Sequence, residues 1–197
     1  MTTSSASVAV ITARVFDRTR ATSVVLVTGF ALFTALMAQI EIPLWFTPVP
    51  ITGQTLAVVL AGAALGSRLG AASQALYVGL GALGLPFYSG GEGGWSVVSG
   101  ATGGYLVGFV FAAALVGFLA ERGQDRTVVT ALPAFLAGTV VVYACGVTWL
   151  AASLDVSAVE AMELGLTPFV IGDLVKVGVA GLLLPTAWRL IGPRRAG

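Results

Sequence analysis

No histidine occurs among the 197 residues, and cysteine and lysine appear once each, as Cys145 and Lys176. Without histidine and with one cysteine, the chain is expected to have no internal disulfide, no Cys/His metal site and no histidine-based acid–base chemistry. Charge is scarce as well: Asp, Glu, Lys and Arg make up 10% of the residues, whereas a soluble domain carries about a quarter. The net charge of +1 supplies no basic surface for nucleic acid. The phosphate-binding pattern G-x-x-x-x-G-K-[ST] is missing too, so any ATP-driven step would require other proteins. Nothing in these residues calls for a metal or a cofactor.

What the chain has in abundance is apolar side chain, 57% of the total, for a mean hydropathy of +0.96. This is the composition of an integral membrane protein. The 26 glycines fall mostly within and between apolar runs, where they suit close packing of helices. Segments long enough, or nearly so, to cross a hydrocarbon layer of about 30 Å lie at residues 21–40, 51–66, 69–85, 102–120, 128–152 and 167–191. The expected architecture is therefore all-α, with six transmembrane helices in a membrane domain over residues 21–191. Residues 1–20 have their arginines after a weakly apolar run, the reverse of a signal peptide. They are expected to form a cytoplasmic tail on the membrane surface, with a second short tail at 192–197.

The loops sort by charge. All nine arginines precede the first span, lie at or beyond the end of the last, or sit between the second and third or the fourth and fifth. The opposite connections, residues 41–50, 86–101 and 153–166, contain no Lys or Arg. By the positive-inside rule both termini are cytoplasmic, in a multi-pass protein of the cell membrane. The outward loops carry Pro43, Pro48 and Pro50 and the run SGGEGGWSVVSG beside Phe87 and Tyr88. Glycine and aromatic residues together suit a loop that folds over a ligand, and an aromatic belt on a plain connector is the alternative.

With the sixth helix entering from outside near Thr167, Lys176 lies roughly 13 Å deep, at about 1.5 Å per residue. A charge near a helix centre costs about 2.5–3.5 kcal/mol on insertion scales, so such groups face a partner or a wet cavity. Asp173 and Lys176 stand at i and i+3, on one helix face. A mutual ion pair that only neutralises both is one reading. The other is a ligand site, in which lysine attracts a carboxylate and aspartate accepts from N–H groups of an amide-like or ureido-like end. Gln54, Thr102 and Tyr105 join this pair as candidates because all lie toward the outer half. Gln74, three residues before Tyr77, lies deeper and is left out. In the first helix Ala31 and Ala35 form an A-x-x-x-A spacing, continued by Ala38, which serves either internal packing or contact with another membrane subunit.

Four stretches resemble the BioY family, the biotin-binding S components of energy-coupling factor (ECF) transporters. They are PVPITGQTLAVVLAGAALGSRLGA from Pro48, LYVGLGALGLPFYSGG from Leu76, GATGGYLVGF from Gly100 and GDLVKVGVA from Gly172. They follow the family's order, and the resemblance as a whole runs from about Gly29 to Leu184. Ala101 departs from the pattern, which there reads proline, and the change should alter loop stiffness more than ligand chemistry. The resemblance implies the ECF S-component fold and capture of biotin from outside. It also implies a partnership, in the lipid bilayer, with a transmembrane coupling protein and two ATPase subunits, and toppling in the membrane to release the vitamin. On this basis Asp173 and Lys176 match the family's ligand-binding pair, Ala31 and Ala35 match its coupling-protein contact, and loops 41–50 and 86–101 are lids. Two rivals follow from the residues. One is an intramembrane enzyme with Lys176 as base toward Ser96 or Ser99, which Asp173 disfavours by keeping the lysine charged. The other is a proton-coupled carrier working without partners.

Overall fold

The computed structural model describes residues 10–17 and 19–191. The proposed tail segments 1–9 and 192–197 lie outside the described residues. The part of the N-terminal stretch that is described does not extend away from the rest. Its short helix α1 (Ile11–Val15) tucks Val10 and Ile11 into a core cluster, and the Thr12 hydroxyl donates to Ala64 O at 2.6 Å.

Helix α2 (Arg20–Ala38) begins at Thr19, whose side chain accepts from the Thr22 N–H, an N-cap that satisfies one of the open donors of the first turn. It is followed by a two-residue strand β1 (Glu41–Ile42), which pairs antiparallel with β2 (Ile51–Thr52), Glu41 opposite Thr52 and Ile42 opposite Ile51. Helices α3 (Gln54–Leu65) and α4 (Ser67–Ala82) are separated by Gly66 alone, at φ +88°. Only glycine adopts that conformation without strain, and a Cβ there would also meet Glu121 Oε1 at 2.5 Å. The Glu121 carboxylate accepts the Ser67 N–H at 2.8 Å and so caps α4 from the end of another helix.

A loop containing the five-residue α5 (Trp95–Ser99) leads into α6 (Gly103–Ala120). This helix is the centre of the molecule: it packs on α3, α4 and α7, and 61% of it is buried against 22% of α2. Close approach is required there, since a Cβ on Gly62 of α3 would lie 2.5 Å from Ala113 O of α6. Helix α7 (Val128–Leu154) carries Pro133 in its interior. After α8 (Ala158–Gly165), capped by Ser157, and a 3-10 turn at Thr167–Phe169, α9 (Val170–Ile191) closes the described chain.

The fold is mostly helical. Among the described residues four helical stretches are long and apolar enough to cross a membrane: Arg20–Ala38, Gly103–Ala120, Val128–Leu154 and Ala158–Ile191. Helices α3 and α4, expected as the second and third spans, have 12 and 16 residues, or about 18 and 24 Å. Each falls short of a full crossing on its own, because Gly66 breaks what would otherwise be one longer helix. The six expected segments overlap α2, α3, α4, α6, α7 and α9, and the sequence reading did not place α1, the hairpin, α5 or α8.

Long-range side-chain contacts gather at two ends. At one end are Thr12 with Ala64, Ser67 with Glu121, and Trp188 with Asp125. At the other are Glu41 with Ser89, Thr47 with Leu164, Trp149 with Gly100, and Tyr105 with Gly165. The core divides accordingly into a cluster around Tyr77, Tyr105 and Phe109 and another around Phe135, Val177 and Leu184.

Candidate functional site

The first turn of α9 carries Asp173, where the positive end of the helix dipole favours a carboxylate. One turn on, Lys176 places Nζ 2.6 Å from Asp173 Oδ1. Two further helices close around the pair. Thr55 in the first turn of α3 donates its hydroxyl to Asp173 Oδ1 at 2.9 Å and accepts from Lys176 Nζ at 3.2 Å. Tyr143 in α7 donates its hydroxyl to Asp173 Oδ2 at 2.5 Å. Asp173 is thus almost fully buried, while Lys176 is only partly so. Among the described residues Lys176 bonds only to Asp173 and Thr55, so neither Ser96 nor Ser99 stands as a nucleophile beside it.

The corner opens on a cavity of about 700 Å³, in the size range of a small-molecule site. Its walls are mainly apolar, from Val49, Leu106, Phe109, Val142 and Phe169, and the strap of residues 43–50 forms part of its lining. All five residues expected to bind a ligand line it: Gln54, Thr102, Tyr105, Asp173 and Lys176. Their polar atoms are not equally available. Gln54 donates to Tyr77 Oη at 2.6 Å and accepts from Thr52 Oγ1 at 2.8 Å, which ties the end of β2 to the start of α3. Tyr105 donates to Gly165 O at 2.8 Å, so its ring, at a right angle to that of Tyr143, is its main contribution to the cavity wall. Thr102, at the N-cap of α6, makes no capping bond with its side chain. Gln74, left out of the expected site, donates instead to Thr34 and Ser73 in the interior and does not line the cavity.

Segments that line the cavity are fastened on two sides. Toward loop 86–101, the Ser89 hydroxyl donates to Glu41 Oε2 and Gln39 Nε2 donates to Tyr88 O at 3.1 Å. Burial pushes the Tyr88 phenol up to about 12, so it remains a neutral donor, here to Val78 O at 2.6 Å. Toward α8, the Thr47 hydroxyl donates to Leu164 O at 2.8 Å.

Thr55 and Tyr143 were not anticipated from the sequence. Thr55 follows Gln54 in the PVPITGQT run, and that neighbourhood was its only signal. Ala31 and Ala35 are buried in the cluster that contains Val58 and Tyr77, so the close approach they permit is to α3 and α4 of the same chain. The face that α2 turns outward is instead formed by Val24, Val25, Leu32 and Leu36. Among the described residues no group of three His, Cys, Asp or Glu is placed to hold a metal ion.

Comparison with known proteins bears on the family and the fold. A family model described as the BioY family matches residues 5–193. The chain is 41% identical over 164 residues to the biotin transporter BioY of Rhizobium etli, a match covering 78% of this chain and 87% of that protein. It is 37% identical to the probable biotin transporter BioY of Pyrococcus horikoshii, over 83% of this chain and 94% of the relative. Among solved structures, the S-component for biotin from an ECF-type ABC transporter superposes with a TM-score of 0.79 at 26% identity, covering 92% of this chain and 95% of that one.

Proposed function

Because the chain belongs to the BioY family, whose members are substrate-specific transporter components and not enzymes, we infer that it captures biotin as the S component of an ECF-type transporter. The observation that carries this reading is the polar corner of Asp173, Lys176, Thr55 and Tyr143 facing a mostly apolar cavity.

Counting hydrogen-bond capacity refines it. A carboxylate offers about four lone-pair sites and an ammonium three donors. Lys176 and Thr55 occupy Oδ1 and Tyr143 takes one site on Oδ2, while Lys176 spends two donors on Asp173 and Thr55. On the charged pair itself one acceptor, on Asp173, and one donor, on Lys176, remain. The edge of a cyclic urea, N–H beside C=O, uses both, whereas a ligand carboxylate would use the donor alone. The ureido end of biotin therefore belongs at this corner, with its chain along the wall of Leu106 and Phe109 and its carboxylate toward the mouth near Thr102 and Ser96. The loops 41–50 and 86–101 act as lids.

Six membrane crossings with both termini on the cytoplasmic face complete the proposal. The arginine-bearing connections meet at the end where α1, the α3–α4 break, the α6–α7 loop and Trp188 come together, and this supports the assignment. A coupling protein and two ATPase subunits are the partners this reading requires, since the sequence carries no G-x-x-x-x-G-K-[ST] pattern of its own. In that assembly α2 offers the coupling protein its outer face, with Ala31 and Ala35 behind it. Titration of the purified protein with biotin, followed by heat of binding or intrinsic fluorescence, tests the substrate. A Kd on the order of 1 µM or tighter is expected, and absence of binding would overturn the assignment.

A further inference from the structure

The Tyr143 hydroxyl reaches Asp173 Oδ2 from a helix that otherwise contributes apolar wall to this part of the cavity. Its position is fixed from behind: the Tyr105 ring meets the Tyr143 ring edge-on with centroids 6.4 Å apart, and Tyr105 is itself held by its bond to Gly165 O. Asp173 is 4% exposed, so it cannot turn to water to exchange this partner.

We propose that Tyr143 is a specificity-determining positioning residue, which occupies one acceptor site of Asp173 so that the corner accepts a cyclic urea and rejects a cyclic guanidinium. The inference rests on the biotin reading given above. A urea edge presents one donor and one acceptor and meets what Asp173 and Lys176 have left. A guanidinium edge presents donors only. It needs two acceptor sites on the carboxylate to pair with it, finds one open on Asp173, and sets its positive charge against Lys176, where like charges repel. Without the tyrosine hydroxyl, Asp173 has a second open site and can take both guanidinium donors.

The test uses three ligands on the full-length protein: biotin; 2-iminobiotin, which has a guanidinium in place of the urea; and desthiobiotin, which keeps the urea and lacks the sulfur. The wild type should prefer biotin to 2-iminobiotin. Tyr143→Phe should reduce that preference by at least about tenfold, the scale of one hydrogen bond to a charged group. The ratio of biotin to desthiobiotin should stay within roughly twofold, since both present the same urea edge. A variant that weakens all three ligands equally would show that Tyr143 only supports the fold, and would overturn the proposal. Should Tyr143→Phe fail to fold, Tyr143→Met removes the same donor with a flexible side chain, and an unchanged preference there would overturn it equally. A wild type that binds no biotin would overturn the biotin reading itself and the inference with it. Biotin binding with an unaltered preference in the variants would remove only the role given to Tyr143.

Discussion

Removing the lysine at the polar corner separates a binding group from a neutralising one. In Lys176→Ala, Asp173 keeps the donors of Thr55 and Tyr143 but loses its counter-charge in a site where its side chain is 5% exposed. Stripping one partner from a buried ion pair costs about 3–5 kcal/mol. The variant should therefore be markedly less stable whatever its role, and loss of binding alone would prove little. The informative variant is Lys176→Met combined with Asp173→Asn. It leaves no charge in the corner, and the asparagine oxygen still accepts from Tyr143 or Thr55, so thermal stability should return toward that of the wild type. The ligand nevertheless loses a charged donor worth about 1.5–3 kcal/mol, or about tenfold to hundredfold in Kd. Thermal unfolding in detergent and calorimetric titration with biotin, run on both variants, read the two effects separately. A double variant that regained stability and bound biotin as tightly as the wild type would refute the reasoning and reduce the pair to mutual neutralisation.

Two other consequences can be measured directly. Thr47→Val removes the bond from the strap to Leu164 O; biotin should dissociate about two- to tenfold faster, as befits one neutral hydrogen bond, and an unchanged rate in stopped-flow displacement would mean that the ligand leaves by another route. Burial raises the Asp125 carboxyl above its ordinary value of 3.8, against the opposing Trp188 N–H and Arg126 charge. The unfolded chain therefore loses this proton first as pH rises from 3.8, and stability falls through the interval up to the folded value. Asp125→Asn retains an acceptor for Trp188 and cannot ionise, so its unfolding temperature should exceed the wild type's at neutral pH, with the difference shrinking on acidification below 3.8; a difference independent of pH would contradict this account.

The helices were legible because the apolar runs are long and are separated by charged residues, proline or glycine, and the charged pair Asp173 and Lys176 inside a run could be seen against a background almost free of charge. What escaped notice was local structure too short to leave a periodic signal. Strand β2 occupies Ile51 and Thr52, which the apolar run had assigned to the second helix, and pairing with β1 delays the helix to Gln54. Helix α8 did carry a readable mark, Ser157 followed three residues later by Glu160, and the Ser157 side chain does accept the Glu160 N–H at 3.2 Å. A reading that scans for capping patterns only beside long apolar runs passes over it.

Tyr143 is a different kind of miss. It lies 30 residues from Asp173, and Thr55 lies 118 away, so no spacing rule connects them. A lone tyrosine in an apolar helix reads as core or as membrane-interface residue, and its hydroxyl has no preferred partner until the helices pack. The requirement for a partner was nevertheless deducible. Asp173 and Lys176 stand three apart on one helix and can satisfy only part of each other's hydrogen-bonding capacity, because a carboxylate and an ammonium together present about seven sites. Any such pair away from bulk water must recruit hydroxyls or amides from neighbouring helices, or leave sites for a ligand. The sequence thus implied that donors would converge on Asp173 without saying from where. The packing of α3 and α7 against α9 decides how many do, and hence what capacity is left to recognise a ligand.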